Sequence, residues 1–263
     1  MDLNLKGKTA LVTGGNRGLG AASARMLAGE GARLFLTARD GDKLNSEADA
    51  ISRDCDTEVA VLAADLTVAG ASDDVVDAAM AQYGRIDILV NAAGASQGGL
   101  FWEIPDQVWQ DSLDLKFMAT VRMMRAVVPH MRSQNYGRIV AIVGNTGMQP
   151  SPRLLPGAAA NAALLTVVKG LADEVAGDGV IVNAVNPGPT RTERWTTLMA
   201  NLAASSGRTV EEIEGDFKDN IPMDRLGAPE EIARFVTFLA SDMAANMTGT
   251  SITADGGWTK SLA

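Results

Sequence analysis

The 263-residue sequence is poor in several residue types, and each shortage excludes a class of protein. Its 23 Lys and Arg are outnumbered by 32 Asp and Glu, and the net charge of −9 argues against a nucleic-acid partner, which requires a basic surface. Cys55 is the only cysteine and His130 the only histidine, so we expect neither an internal disulfide nor a metal site. Long apolar runs and a signal-peptide core are also lacking, so we expect a cytoplasmic protein without a membrane role.

The sequence does contain short apolar runs that alternate with longer amphipathic segments. Seven runs have the composition of buried strands: TALVTG, RLFLTA, VAVLAADL, IDILVNAAG, GRIVAIVG, VIVNAVNPG and SITADGG. Because strands of a parallel sheet are buried on both faces, such runs between helices predict that kind of sheet. We therefore predict a single α/β domain over residues 1–263. The strandless polar stretch at about 190–222 predicts a lid over a site.

A glycine-rich loop follows the first predicted strand. The loop TGGNRGLG contains Gly14, Gly18 and Gly20, and a helical pattern follows it directly. Glycines allow the backbone to turn tightly and to approach a pyrophosphate, which then lies at the N-terminus of the helix. The context of strand, loop and helix makes this motif specific, so it predicts a bound dinucleotide.

Four further motifs occur in order after this loop: AADLT, NAAG, NPGPTRT and DGGW. With them the sequence resembles the short-chain dehydrogenase/reductase family over nearly its whole length. The resemblance implies a Rossmann-type, doubly wound parallel sheet of about seven strands in the order 3-2-1-4-5-6-7, with helices on both faces. It also implies cofactor contacts from a set of residues along the carboxyl edge of that sheet: Gly14, Asn16, Arg17, Gly18, Leu19, Gly20, Arg39, Asp65, Leu66, Asn91, Ala92, Gly94, Pro187, Gly188 and Thr190.

The second predicted strand indicates which cofactor is preferred. It ends in TARD, without an acidic residue placed to bind a ribose 2′-hydroxyl. Arg39, together with Arg17 of the glycine loop, suits a 2′-phosphate, because a guanidinium pairs with phosphate in a planar fork. NADP(H) is therefore favoured over NAD(H).

The resemblance also locates four catalytic positions, and all four differ from the family. Members of the family use an asparagine, a serine, a tyrosine and a lysine, in that order along the chain. The chain's two tyrosines, Tyr83 and Tyr136, precede the fourth and fifth strands, away from the cofactor. Without its proton donor, reduction of a simple ketone loses a factor of about 10²–10⁴ in rate. The residues at the four positions are Lys116, Gly144, Gly157 and Asn161.

Three functions fit this pattern. The first is an atypical oxidoreductase that transfers hydride to or from an activated substrate such as an enone, a quinone or an iminium. In that enzyme Lys116 would supply the ammonium missing at Asn161. We expect its small-molecule substrate to be contacted by four residues: Asn145, Thr146, Arg153 and Trp195.

The second function is that of an inactive subunit that partners an active chain. Members of the family form dimers or tetramers through two helices, here at about 105–132 and 157–176, so we expect a homo- or hetero-oligomer. The third is an NADP(H) sensor or a non-redox enzyme on the same fold. The intact glycine loop counts against abandoning the cofactor, and we favour the first function, with the inactive subunit as its alternative.

Overall fold

The computed structural model describes residues 2–95 and 97–260, with the backbone alone at residue 205. Strands and helices alternate along this part of the chain. The strands are β1 (Thr9–Thr13), β2 (Arg33–Ala38), β3 (Val59–Ala63), β4 (Ile88–Asn91), β5 (Gly137–Ile142), β6 (Val180–Pro187) and β7 (Ser251–Ala254). The α-helices are α1 (Gly18–Gly29), α2 (Gly41–Cys55), α3 (Ala71–Tyr83), α4 (Asp106–Ser112), α5 (Ala119–Ser133), α6 (Leu155–Val175), α7 (Glu193–Ser206), α8 (Val210–Asp219) and α9 (Pro229–Leu239).

The seven strands form one parallel sheet in the order β3-β2-β1-β4-β5-β6-β7. This confirms the predicted fold class. Every residue of β1 and β4 is buried, which is why these strands are apolar on both faces. The strand order reverses between β1 and β4, and ligands of open α/β sheets bind outside the carboxyl ends of the strands at such a reversal.

Helices cover both faces of the sheet. One apolar cluster joins α3, α5 and α6 to the strands, with Val127 and Val168 among its buried members. The other joins α1, α2 and α9 to the opposite face, with Leu27 and Val236 buried. The two clusters pack the helices on both faces of the sheet and leave the loops at the carboxyl ends of the strands outside the core.

The helix expected at about 105–132 is interrupted. Between α4 and α5 the backbone forms a π-helical segment over Leu113–Met118, which contains the buried Lys116. Hydrogen bonds that span five residues instead of four widen the helix at this point, and such segments occur frequently at functional sites. The sequence pattern predicted the helical region but not the change of pitch.

Helix α6 begins at Leu155, with a proline in its first turn, slightly before the expected start at residue 157. Among the described residues, the stretch Leu155–Asp178 is the one that is long and apolar enough to cross a membrane. Its composition has another explanation, because α6 packs on the sheet and contributes Leu164, Ala172 and Val175 to the core.

The strandless stretch at 190–222 contains α7 and α8. Thr192 caps α7 by accepting a hydrogen bond from Trp195 N, and Thr209 and Glu212 form a capping box at the start of α8. The two helices have their own apolar cluster, separate from those on the sheet, and Trp258 near the C-terminus packs against it.

Candidate functional site

The glycine loop between β1 and α1 fits closely against its neighbours. A Cβ on Gly20 would lie 2.2 Å from the carbonyl oxygen of Gly14, so no larger residue fits there. Gly14 has a φ of +66°, and a Cβ on it would lie 3.1 Å from the backbone of Ala93. Thr13 Oγ1 accepts hydrogen bonds from Ala92 N and Ala93 N, each at 3.1 Å. The loop therefore has the tight turn and the close packing of helix against strand that are typical of a dinucleotide-binding loop.

The residues expected at the adenosine end of the cofactor lie at the ends of β2 and β3. Arg39 is exposed just after β2, and its charge helps to lower the pKa of Asp65, after two hydrogen bonds from Thr67 that have the larger effect. Arg17 is also exposed and faces Glu193 at 3.6 Å. Both guanidinium groups are accessible to a phosphate.

Lys116 is buried at the carboxyl edge of the sheet, 9% exposed. Its Nζ donates a hydrogen bond to the carbonyl of Val143 at 3.1 Å. Its side chain fills the space beside Gly94, where a Cβ would lie 3.0 Å from Lys116 Cγ. Burial, followed by repulsion from Arg194, lowers the pKa of Lys116 to about 7. An amine with this pKa exchanges protons readily at neutral pH.

Gly144 and Asn161 fit each other as a pair. Gly144 has a φ of +129°, in the region that favours glycine. A Cβ on Gly144 would lie 2.8 Å from Asn161 Nδ2. That Nδ2 donates to Thr146 Oγ1 at 2.8 Å, and Asn161 Oδ1 is buried without a protein partner. Gly157 is buried one helical turn before Asn161, on the same face of α6.

Both tyrosines of the chain are engaged elsewhere. The hydroxyl of Tyr83 donates to the carbonyl of Leu34, at the start of β2, at 3.0 Å. The hydroxyl of Tyr136 donates to Asp242 at 3.0 Å, just before β5 begins. These contacts lie at the amino edge of the sheet, whereas Lys116 and Asn161 lie at the carboxyl edge.

Comparison with known proteins gives the family. The family model described as "Enoyl-(Acyl carrier protein) reductase" matches residues 14–259. The chain belongs to the short-chain dehydrogenase/reductase family.

Curated and solved relatives cover the whole chain or nearly all of it. It is 36% identical to the uncharacterized oxidoreductase YvaG of Bacillus subtilis, with all of both chains covered. It is 34% identical to the 3-oxoacyl-[acyl-carrier-protein] reductase FabG of Escherichia coli, with 97% of this chain and 98% of the relative covered. L-sorbose reductase from Gluconobacter frateurii, solved with NADPH and L-sorbose, has a TM-score of 0.94 at 34% identity with both chains covered completely. The relatives of this dehydrogenase/reductase thus include named reductases among both the curated proteins and the solved structures. NADPH is the cofactor in the solved complex.

Most of the remaining predicted residues lie at the same edge of the sheet. Asn145 Nδ2 donates to Asp255 at 3.3 Å, which ties the loop after β5 to the DGGW motif after β7. Thr190 is buried after β6, and its hydroxyl donates to the carbonyl of Gly188 at 2.9 Å. Arg153 has a φ of +65°, and its carbonyl accepts a hydrogen bond from Gly99 N in the loop after β4.

Trp195 has a different environment from the one expected of a substrate contact. It is 7% exposed, stacks edge-on against Phe217, and donates from Nε1 to Glu214 at 2.8 Å. These contacts make it a core residue of the α7–α8 pair, because its surface is already used within that pair.

Sequence reasoning missed Arg194. Its Nη1 donates to the carbonyl of Gly94 at 2.8 Å, 100 residues away in the chain. This bond joins the first turn of α7 to the NAAG motif of the dehydrogenase/reductase family. The only signal in the sequence was an arginine at the start of the strandless stretch, and nothing local predicts its distant partner.

Proposed function

We propose that the chain is an NADP(H)-dependent reductase of activated carbonyl compounds, of which conjugated enones and quinones are the main candidates. The observation that carries this proposal is Lys116, a buried amine with a pKa of about 7 at the cofactor edge, in a chain whose tyrosines are bonded elsewhere. The segment at 190–222 is proposed as the lid. The description of the matching family model also names an enoyl substrate, which is a conjugated one.

The glycine loop fits the cofactor, because Gly14 and Gly20 allow the tight turn and the close packing against neighbouring backbone that a dinucleotide-binding loop has. Residues of this loop would hold the pyrophosphate, and Arg39 with Arg17 would hold the 2′-phosphate. When bound, NADPH supplies a hydride. The chain's own residues must then stabilise the oxygen of the substrate and deliver one proton.

Lys116 would perform both of these tasks. Addition of hydride to the β-carbon of an enone moves an electron pair onto the carbonyl oxygen and gives an enolate. The ammonium of Lys116 stabilises this charge, and its proton completes the reduction at the α-carbon or at the oxygen. Because an enolate or a phenolate already delocalises its charge, its formation depends less on a strong, positioned proton donor than the formation of an alkoxide does.

Thr146 would replace the hydroxyl missing at Gly144. Its Oγ1 accepts a hydrogen bond from Asn161 Nδ2, so its own proton is available to a substrate oxygen. Asn161 then acts as a positioning residue that fixes the rotamer of Thr146. Gly144 leaves the space that this pair occupies, because a serine there would overlap Asn161.

A titration followed by single-turnover assays tests the proposal. The dissociation constants of NADPH and NADH are measured first, and the reduction of benzylideneacetone, 1,4-benzoquinone and acetophenone by bound NADPH is then recorded. We expect tighter binding of NADPH, and faster reduction of the enone or the quinone than of acetophenone. Lys116→Met should remove most of this activity, whereas Lys169→Met, at an exposed ion pair with Asp173, should retain it. Preference for the plain ketone would refute the proposal.

The oligomeric state and the location of the protein stay predictions. Helix α6 exposes small residues, among them Ala159, Ala162 and Gly170, that allow close packing of another helix. We therefore propose a homo- or hetero-oligomer through this helix, and a cytoplasmic protein. Purification from the native source would identify a partner chain, and a homo-oligomer that reduces the enone alone would exclude the inactive-subunit alternative. NADPH binding without turnover of any of the three substrates would instead favour a sensor.

A further inference from the structure

Three basic side chains meet at the opening between the glycine loop and α7. Arg194 lies close enough to Lys116 that its charge helps to lower the pKa of that amine, and Arg17 acts in the same way on Arg194. Desolvation by the surrounding residues is the larger cause for both shifts. In the described part of the chain the only carboxylate paired with the three is Glu193, at 3.6 Å from Arg17 and mostly exposed. The basic groups at the opening therefore outnumber their carboxylate partners, in a protein whose net charge is −9.

Of the three, Arg194 is exposed and, unlike Arg17, is not paired with Glu193. It has no ion pair among the described residues, and its partner is the neutral carbonyl of Gly94 at 2.8 Å. The residue is solvent-exposed, although desolvation by nearby protein atoms lowers the pKa of its guanidinium. A guanidinium has five N–H donors in a fixed fork, so most of its donors remain available.

We propose that Arg194 binds an anionic group, a carboxylate or a phosphate, of a molecule held in the cleft under the lid. A carboxylate fits the planar fork of Arg194 with two parallel hydrogen bonds, and so does a phosphate. Such a group also relieves the repulsion among Arg194, Arg17 and Lys116.

Two molecules carry an anionic group that suits this position: an acidic substrate, and the cofactor with its pyrophosphate. Lys116 lies beside Gly94, and Arg194 is bonded to the same residue. A substrate whose carbonyl oxygen lies at Lys116 would therefore place an acidic substituent near Arg194. This source rests on the proposed function, and it narrows the substrate class to carbonyl compounds that carry an acid group.

Binding measurements test the proposal without requiring turnover. Isothermal titration calorimetry compares 4-carboxybenzylideneacetone with benzylideneacetone on the enzyme saturated with NADP⁺, and NADPH on the free enzyme. The variants are Arg194→Gln, Arg194→Lys and, as a matched control on the same segment, Arg191→Gln. Arg191 is exposed, as Arg194 is.

We expect wild-type protein to prefer the carboxylate, and Arg194→Gln to lower that preference by about tenfold, as loss of a charge-assisted hydrogen bond does. Arg194→Lys should retain part of it, and Arg191→Gln all of it. If Arg194→Gln instead lowers the affinity for NADPH by about tenfold and leaves the carboxylate preference unchanged, the anion is the pyrophosphate of the cofactor. If Arg194→Gln alters neither affinity by more than Arg191→Gln does, the proposal is wrong. Carboxylate binding that depends on Arg194 without any reduction of the enone would separate this site from the proposed function.

Discussion

Lys116 is the residue on which the proposed chemistry depends, and its protonation gives the first prediction. Burial and the charge of Arg194 hold its pKa at about 7. Since the ammonium is the active form, the single-turnover rate with benzylideneacetone should fall as the pH rises through 7, by about tenfold between pH 6 and pH 8. Lys116→Met should show a low rate without this dependence. A flat wild-type profile would contradict the assignment of Lys116 as the acid.

The same pKa affects stability. The pKa of Lys116 lies below the ordinary value of 10.5, so the folded protein binds fewer protons than the unfolded chain between pH 7 and 10.5. The free energy of unfolding should therefore rise with pH in this window, by at most about 1.4 kcal/mol per pH unit from this group. Urea unfolding of wild type and Lys116→Met at pH 7 and pH 9 isolates the contribution. An equal change in both proteins would show that Lys116 is not the source.

The junction between β5 and α6 gives a prediction about packing. Gly144 lies two residues after β5 and has a φ of +129°, and a Cβ there would meet Asn161 Nδ2 at 2.8 Å. Gly144→Ala should lower the free energy of unfolding by about 2 kcal/mol, because of the strained backbone and the overlap. Adding Asn161→Ala should recover the part due to overlap, so the double-mutant cycle gives a favourable coupling. Additive effects of the two substitutions would mean that the residues do not form a pair.

The sequence predicts the strands and helices better than it predicts the contacts between them. Buried parallel strands have continuous apolar runs, so β1 and β4 to β6 are visible as local patterns, and the family resemblance, with its spacing counted from β5, locates Gly144 and Asn161. The hydrogen bond from Asn161 to Thr146 joins different elements, and that from Arg194 to Gly94 spans 100 residues. Such contacts depend on tertiary packing. The π-helical turn that contains Lys116 depends on it too, because the local apolar pattern there is that of an ordinary helix.

Across the whole molecule, the two edges of the sheet have different side chains. The carboxyl edge combines a glycine loop with incompletely neutralised basic groups, whereas the amino edge contains a hydrogen-bonded network around a carboxylate. There Asp242 accepts hydrogen bonds from Arg138 and from the hydroxyl of Tyr136, both at 3.0 Å. The ring of Tyr136 lies between Arg138 and Lys8. Burial raises the pKa of Tyr136, so the phenol stays protonated and remains a donor.

This division between the edges predicts that stability and cofactor binding can be changed separately. Asp242→Ala leaves the buried guanidinium of Arg138, whose side chain is 7% exposed, without its carboxylate. The free energy of unfolding should fall by about 2 kcal/mol, while the dissociation constant of NADPH stays within twofold of wild type. Asp173→Ala, which removes an exposed ion pair with Lys169, is the matched control and should cost less than about 0.5 kcal/mol. Weaker NADPH binding in the folded Asp242→Ala protein would show that the sheet transmits changes from its amino edge to the cofactor edge, because Asp242 and the glycine loop lie at opposite ends of the strands.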